Sequence, residues 1–301
     1  MKSDADNRYL AYGTIIASPL DLGEYLCAAG DVSASVLRLA PEEGKPVVLP
    51  RETKLFTGHG RKLVLFTDRE LAESANGQPW CFEVADVVRF RWIGGAEEIQ
   101  FERLTECTDQ LLAFWLIHIF LPLYFTLEGR YEFIHACSVE VSGSTILFTA
   151  PSHGGKSTLT DYFIKQGHTL VSDDKVATWM KDEICFAAPS HPNHRPYRQF
   201  EDLGYRVENF DPEPRQVGAI YALQRVESDA DVGIEEITGH RKFAVVRPSY
   251  LFDFAFFREK RLEFMGRLLG GVGVYRVSVP WDMQRLREIH DRIVTHMTVG
   301  D

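Results

Sequence analysis

The chain has 301 residues, 45% hydrophobic and 25% charged, with 23 glycines and 14 prolines. These proportions exclude a disordered or collagen-like polymer and allow one large core or two ordinary ones. A formal charge of −10 argues against nucleic acid as a partner, because phosphate contacts need cationic surface. That charge is uneven: Arg241 to Arg292 hold eleven Lys/Arg against six Asp/Glu, a balance suited to phosphates or to an acidic partner.

Five cysteines, odd in number and without a C-x-x-C pair, fit a reducing compartment with thiols used as small core residues. No apolar stretch follows Lys2, so no secretory signal is expected and the cytoplasm is the expected location. Residues 8 to about 104 read as short β-runs of an antiparallel sheet: RYLAYGTIIAS, KPVVLP, KLVLF, WCFEV and VVRFRWI. In the last of these, apolar residues alternate with Arg89 and Arg91. A long helix should follow, capped near Thr108-Asp109 and broken around Pro122. Its segment from Leu111 to Leu127 is short for a membrane span and includes His118, which favours a buried core helix and no membrane partner. The expected division is a β-rich module over 1–128 and a catalytic domain over 129–301.

Beyond residue 137 the pattern changes. Ser138–Ala150 gives two short strands around Ser142-Gly143, and a glycine loop leads into Lys156-Ser-Thr-Leu-Thr-Asp-Tyr-Phe, a helix stopped by Gly167. Thr169–Ser172 is a further strand running into Asp173-Asp174. Strand, glycine loop, helix, strand and acidic pair form the layout of a phosphate-binding βαβ unit. Ala150 through Ser157 is a P-loop in all but its first glycine, and an accidental turn would not also put strand and helix where the motif demands. The backbone of Ser152, His153, Gly154 and Gly155, with Ser157 and Thr158 opening the helix, is the candidate nucleotide site. Lys156 would neutralise the β- and γ-phosphates and the Ser157 hydroxyl would reach Mg²⁺.

Asp173 and Asp174 follow Lys156 by 17 and 18 residues. One carboxylate can hold the metal and the other can accept a proton from an incoming hydroxyl. His135 by itself reads as a half-buried structural histidine. The H-x-x-H of His191 and His194 is broken by Pro192 and lacks further ligands, so a zinc site is not expected. Arg195 and Arg198 are candidate phosphate or substrate contacts, with a solvated loop as the alternative. Phe252 to Phe257 reads as core. Leu286, Ile289, Ile293 and Met297 mark a closing amphipathic helix.

From His135 to Val176 the sequence resembles the catalytic core of the HPr kinase/phosphorylase family. The carrying residues are Ile134-His135-Ala136, the loop around Lys156-Ser157, and Gly167-His-Thr-Leu-Val-Ser-Asp173-Asp174. The resemblance implies an α/β P-loop kinase core of the HPr kinase/phosphoenolpyruvate carboxykinase type, here with a β-rich N-terminal module. It implies a serine kinase using ATP and Mg²⁺, with Asp174 as general base, Lys156 on the γ-phosphate and Ser157 as metal ligand. His135 would be an active-site auxiliary, and Asp173 would support the metal or orient its neighbour. The family's second metal-binding glutamate has no counterpart in matching context, Glu201 lying nearest. Length and layout also resemble kinases that phosphorylate the C-terminal serine of lasso-peptide precursors. The expected acceptor is therefore a serine of a peptide or small protein. A small-molecule kinase acting on free serine, and a nucleotide-binding sensor or ATPase without acceptor, are the alternatives; a homo-oligomer is left open.

Overall fold

The structure, a computed structural model, describes residues 6–42, 49–58, 60–71, 78–92, 97–196 and 201–299. The chain divides into two compact units, one of residues 1–130 with 198–203 and one of residues 131–197 with 204–301.

The first unit is a nine-stranded sheet and one long helix. Its strands are β1 (Asn7–Ala11), β2 (Thr14–Ser18), β3 (Cys27–Ala28), β4 (Val36–Pro41), β5 (Arg51–Gly58), β6 (Arg61–Thr67), β7 (Trp80–Val84), β8 (Val88–Trp92) and β9 (Glu98–Arg103). They lie in the order β3-β1-β2-β4-β9-β8-β7-β6-β5. The sheet is not wholly antiparallel, because β4 runs parallel to both β2 and β9. Parallel neighbours need long connections, and the segments before and after β4 supply them. Most of the KPVVLP run lies outside the described residues, and β4, β5 and β9 are strands that the run-by-run reading passed over. Arg91 does not alternate outward: it is buried in ion pairs with Glu42 and, at 3.3 Å, Glu102.

The helix, α1 (Asp109–Leu127), starts as the sequence suggested, with Thr108 Oγ1 accepting from the Leu111 amide at 3.2 Å. It does not break at Pro122. A π-turn over Leu116–Phe120 widens the helix just before the proline, whose missing N–H and bulky ring are absorbed there. By length and composition α1 could cross a membrane, but 83% of its apolar window is buried. Phe120 stacks on Phe90 with centroids 4.4 Å apart and packs against Trp80 and Phe82. Glu201, expected within an unbroken catalytic domain, belongs to this unit, held by Arg61 and by Trp115 Nε1 at 2.8 Å.

The second unit is a sheet covered by helices on both faces. Its elements are β10 (Glu132–Ile134), β11 (Cys137–Val141), β12 (Ser144–Thr149), α2 (Lys156–Lys165), β13 (Leu170–Ser172), β14 (Val176–Lys181) and β15 (Ile184–Ala188). They continue as β16 (Asn193–His194), β17 (Tyr205–Arg206), β18 (Arg215–Val226), β19 (Ile234–Glu236), α3 (His240–Val246), α4 (Arg258–Gly271), β20 (Gly273–Pro280) and α5 (Leu286–Val299). The order is β10-β14-β15-β18-β12-β11-β13, with β20 pairing β18 and β19. β12, β18 and β20 run parallel. β13 is not beside β12; β11 lies antiparallel between them, so the βαβ unit is split.

Alternation in β12 assigns the faces. Leu147 joins a core with Val246 and Leu268 under α3 and α4, whereas Ile146 and Phe148 join Leu159, Phe163, Ile289 and Ile293 under α2 and α5. The expected amphipathic closing helix is α5. Phe252, Phe254 and Phe256 are not core: their rings stack in a half-exposed row, and Phe257 is the buried one.

Glu128, at the C-terminal end of α1, has a buried Oε1 without a hydrogen-bond partner, and burial pushes its carboxyl up to about 7. A carboxyl raised on folding favours the folded state below its ordinary value of 4.5, and the benefit is lost as pH rises through about 7. Glu128→Gln should raise the first unit's melting temperature at about pH 8 and leave it nearly unchanged at about pH 5, as followed by thermal unfolding.

Candidate active site

β12 ends at Thr149, and residues 150–155 turn the chain into α2. His153 (φ 63°) and Gly155 (φ 88°) are left-handed. At Gly154 a Cβ would stand 2.6 Å from the Ala150 Cβ and 2.9 Å from the Pro151 carbonyl oxygen. The alanine at the head of the loop is thus tolerated at negative φ, and its methyl is what requires glycine four residues on. Gly155 caps α2 with no side-chain hydrogen bond, so the helix presents its first amides toward the loop. Lys156 is buried, with its Nζ donating back to the Ala150 carbonyl at 2.9 Å. Ser152 and His153 are exposed, and Gly154, Gly155, Ser157 and Thr158 half-buried. Exposed Trp281 lies beside Gly155, with the Arg225 guanidinium 4.1 Å over its ring.

The acidic pair follows β13, and its two members face different surroundings. Asp173 is buried. Its Oδ1 accepts from Cys137 Sγ at 3.4 Å and lies 3.2 Å from His194 Nδ1, and its Oδ2 accepts from the Arg195 amide at 3.0 Å. Burial pushes the Asp173 carboxyl up, but the His194 charge and contact and the Arg195 amide outweigh it, and the net shift is downward. His194 Nε2 meets the Ser157 carbonyl at 3.1 Å. A carbonyl oxygen only accepts, so Nε2 carries a proton, while Nδ1 faces Asp173 as an ion-pair contact without hydrogen-bond geometry. Burial is the largest single influence on His194 and pulls it down, but the charge and contact of Asp173, the Asp161 charge and the Ser157 carbonyl together outweigh it, and the net shift is a rise. His191, three residues earlier, has the opposite state: burial pulls it down to about 4, and its Nδ1 accepts from the Asn193 amide at 3.3 Å.

Asp174 sits at φ 64°, a conformation that aspartate tolerates better than most residues. Its Oδ1 is 3.6 Å from His135 Nε2 and its Oδ2 accepts from Lys175 Nζ at 3.0 Å. Burial pulls the Lys175 ammonium below its ordinary value, although Asp174 opposes this. Cys137 is the point on which the parts converge. Its sulfur lies 3.8 Å from Ser157 Oγ, and its thiol, pushed up first by burial, also senses Asp173, Asp174 and Lys156. A cavity of about 330 Å³ opens beside the loop, lined by Ala150, Pro151, Gln224, Pro248, Ser249 and Arg276, near the C-terminal ends of β12 and β18. Ligands of α/β sheets collect at that edge.

The structure therefore brings His135, Lys156, Ser157, Asp173 and Asp174 together. Arg195 is not a solvated loop residue; it is buried, and its contribution here is the backbone amide on Asp173. Arg198 lies outside the described residues. Lys175 and His194 were missed. A lysine directly after the acidic pair was the available signal for the first, and the paired histidines at 191 and 194 for the second. Among the described residues, no three His, Cys, Asp or Glu side chains gather as a metal cage.

No protein-family model matches the chain. HPr kinase/phosphorylase from Lactiplantibacillus plantarum is 34% identical over 73 residues, and that from Levilactobacillus brevis 33% identical over 73. The chain is distantly similar to HPr kinase/phosphorylase. Each match covers 23% of this chain and 23% or 24% of the relative, so the chain spans about a quarter of the length of these curated relatives. The solved Hpr(Ser) kinase/phosphatase from Coxiella burnetii aligns with 56% of this chain and 99% of its own, at 13% identity and a TM-score of 0.34.

The Asp173–His194 pair carries a pH signature. A raised histidine stabilises the fold fully below its ordinary value of 6.5 and loses that benefit as pH rises through its folded value. A lowered carboxyl stabilises above its ordinary 3.8 and loses the benefit as pH falls through its folded value. The melting-temperature gap between parent and His194→Gln should be widest between these ordinary values, narrowing as pH rises through the folded histidine value and as pH falls through the folded carboxyl value.

Proposed function

We propose that the second unit is a Mg²⁺- and ATP-dependent kinase that phosphorylates a serine hydroxyl of a peptide or small protein. The C-terminal serine of a lasso-peptide precursor is the favoured acceptor, on the resemblance in length and layout. The observation that carries the reading is the gathering of Lys156, Ser157, Asp173 and Asp174 around Cys137. The distant similarity to HPr kinase/phosphorylase supports phosphotransfer as the reaction class.

In this reading the open amides of α2 and the 152–155 backbone bind the β- and γ-phosphates, and Lys156 leaves the Ala150 carbonyl to offset charge on the γ-oxygens. Asp174 takes the hydroxyl proton as the serine oxygen bonds to the γ-phosphorus and the bond to the bridging oxygen breaks, leaving phosphoserine and ADP. His135 and Lys175 fix the two Asp174 oxygens. Ser157 Oγ and the Asp173 carboxylate are hard oxygen donors touching one thiol, a pair that fits Mg²⁺ completed by phosphate and water. When bound, Mg²⁺ draws charge from the β- and γ-oxygens.

Lys156→Ala should abolish transfer of labelled γ-phosphate to a serine peptide; near-normal turnover would defeat the phosphate-loop reading. Asp174→Asn keeps shape and the left-handed turn but loses basicity. It should cut transfer by roughly 10²–10⁴-fold while ATP affinity, measured by calorimetry, changes far less. Phosphate release without peptide phosphorylation by the parent chain would instead indicate an ATPase.

A further inference from the structure

We propose that a second cavity of the same unit, between α3 and α4, docks the acceptor through carboxylates flanking an apolar side chain. The identification of the docked peptide as acceptor rests on the kinase reading; the docking itself does not. The cavity measures about 650 Å³, and Phe243, Arg247, Tyr250, Arg258, Leu262 and Met265 line it. Its cations differ in what holds them. Arg261 is buried, bonded to Glu132 at 2.9 Å, 3.6 Å from Asp253 and poised over the Tyr250 ring. Arg247 and Arg258 are exposed and have no ion-pair partner among the described residues. Leu262 is 56% exposed. Next to these lies the half-exposed row of Phe252, Phe254 and Phe256.

Arginine, aromatic rings and exposed aliphatic surface around one cavity are the composition of a protein-recognition site. Two unpaired guanidiniums select carboxylates and can clamp them bidentately. The chain's net charge of −10 disfavours an acidic partner over much of the surface, which makes this cluster the attractive place for one. The apolar lining favours a peptide over a purely anionic polymer. The cavity is also joined to the chemistry. Tyr250 pairs with Ile134, Leu251 donates to Phe133, and the Ser249 carbonyl accepts from the His135 amide. The segment that forms the cavity wall thus borders the strand end that carries His135, whose ring is 3.6 Å from Asp174. Pro248 lines both this cavity and the one beside the phosphate loop.

The probe is a fluorescein-labelled peptide with Asp and Glu on both sides of one leucine and a terminal serine, titrated with the full chain without nucleotide. Arg247→Glu with Arg258→Glu should weaken binding roughly tenfold, and Arg247→Lys with Arg258→Lys should restore much of it. Replacing the peptide's acids by Asn and Gln should weaken binding to the parent similarly, and rising salt should weaken the acidic peptide's binding. Circular dichroism of the charge-reversed chain checks that it is folded. No binding of the acidic peptide, or equal binding by the charge-reversed chain, would overturn the proposal. Tighter binding of phosphatidylserine vesicles than of the peptide would overturn it in favour of a lipid surface. Docking without phosphorylation would defeat the kinase reading and leave the docking site standing.

Discussion

A buried carboxylate facing a buried histidine organises the second unit's candidate site. Asp173 and His194 are both out of water, where an isolated charge of either sign would be costly, so each requires the other. The pair reaches three parts of the chain. Through Nε2 of His194 it holds the Ser157 carbonyl, in the first turn of α2. Through Oδ2 of Asp173 it fixes the Arg195 amide, directly after the short strand β16. Through Oδ1 it meets the Cys137 thiol at the start of β11. Removing one partner would leave the other buried without its counter-charge beside the first turn of α2.

The same turn separates two neighbouring carboxylates by function. Asp173 points inward, against Cys137, His194 and the Arg195 amide. Asp174, turned by its left-handed backbone, keeps some exposure and faces a histidine and a lysine that hold it without burying it. Paired acids become useful when their environments differ, because one can then remain fixed while the other exchanges a proton. His153 in the loop and Asp174 after β13 both have positive φ.

Local signals made much of this legible in the sequence. The strand–loop–helix layout, the Thr108 cap and the apolar spacing of α5 follow from residues near one another in the chain, which periodicity and capping rules read well. The roles of Lys175 and His194 were missed for a physical reason. A buried charge is explained by its partner, and theirs arrive through the tertiary fold. For Arg195 the alternative of a solvated loop residue falls for the same cause, since burial between two prolines is set by the tertiary fold. The parallel placement of β4 and the insertion of β11 between β12 and β13 are long-range pairings that no local run encodes. The continuity of α1 past Pro122 depended on a π-turn that sequence periodicity does not announce. Phe252 to Phe257 failed in the opposite direction: aromatic richness suggested burial, whereas alternate rings form a half-exposed row.

Charge placement links the site to the rest of its unit. Lys156, Lys175 and Arg261 are buried, and each is held by an acceptor of its own: the Ala150 carbonyl, Asp174 and Glu132. Arg285 is engaged with Glu288 and with the Ser228 and Ala230 carbonyls, and Arg215 with Glu140 and Asp211. Against that background Arg247 and Arg258 stand out, since a cation left exposed and unpaired beside apolar surface adds little to folding. Their positions flank the one wall segment that is hydrogen-bonded to His135. That placement is the ground on which the proposed docking of an acidic acceptor rests.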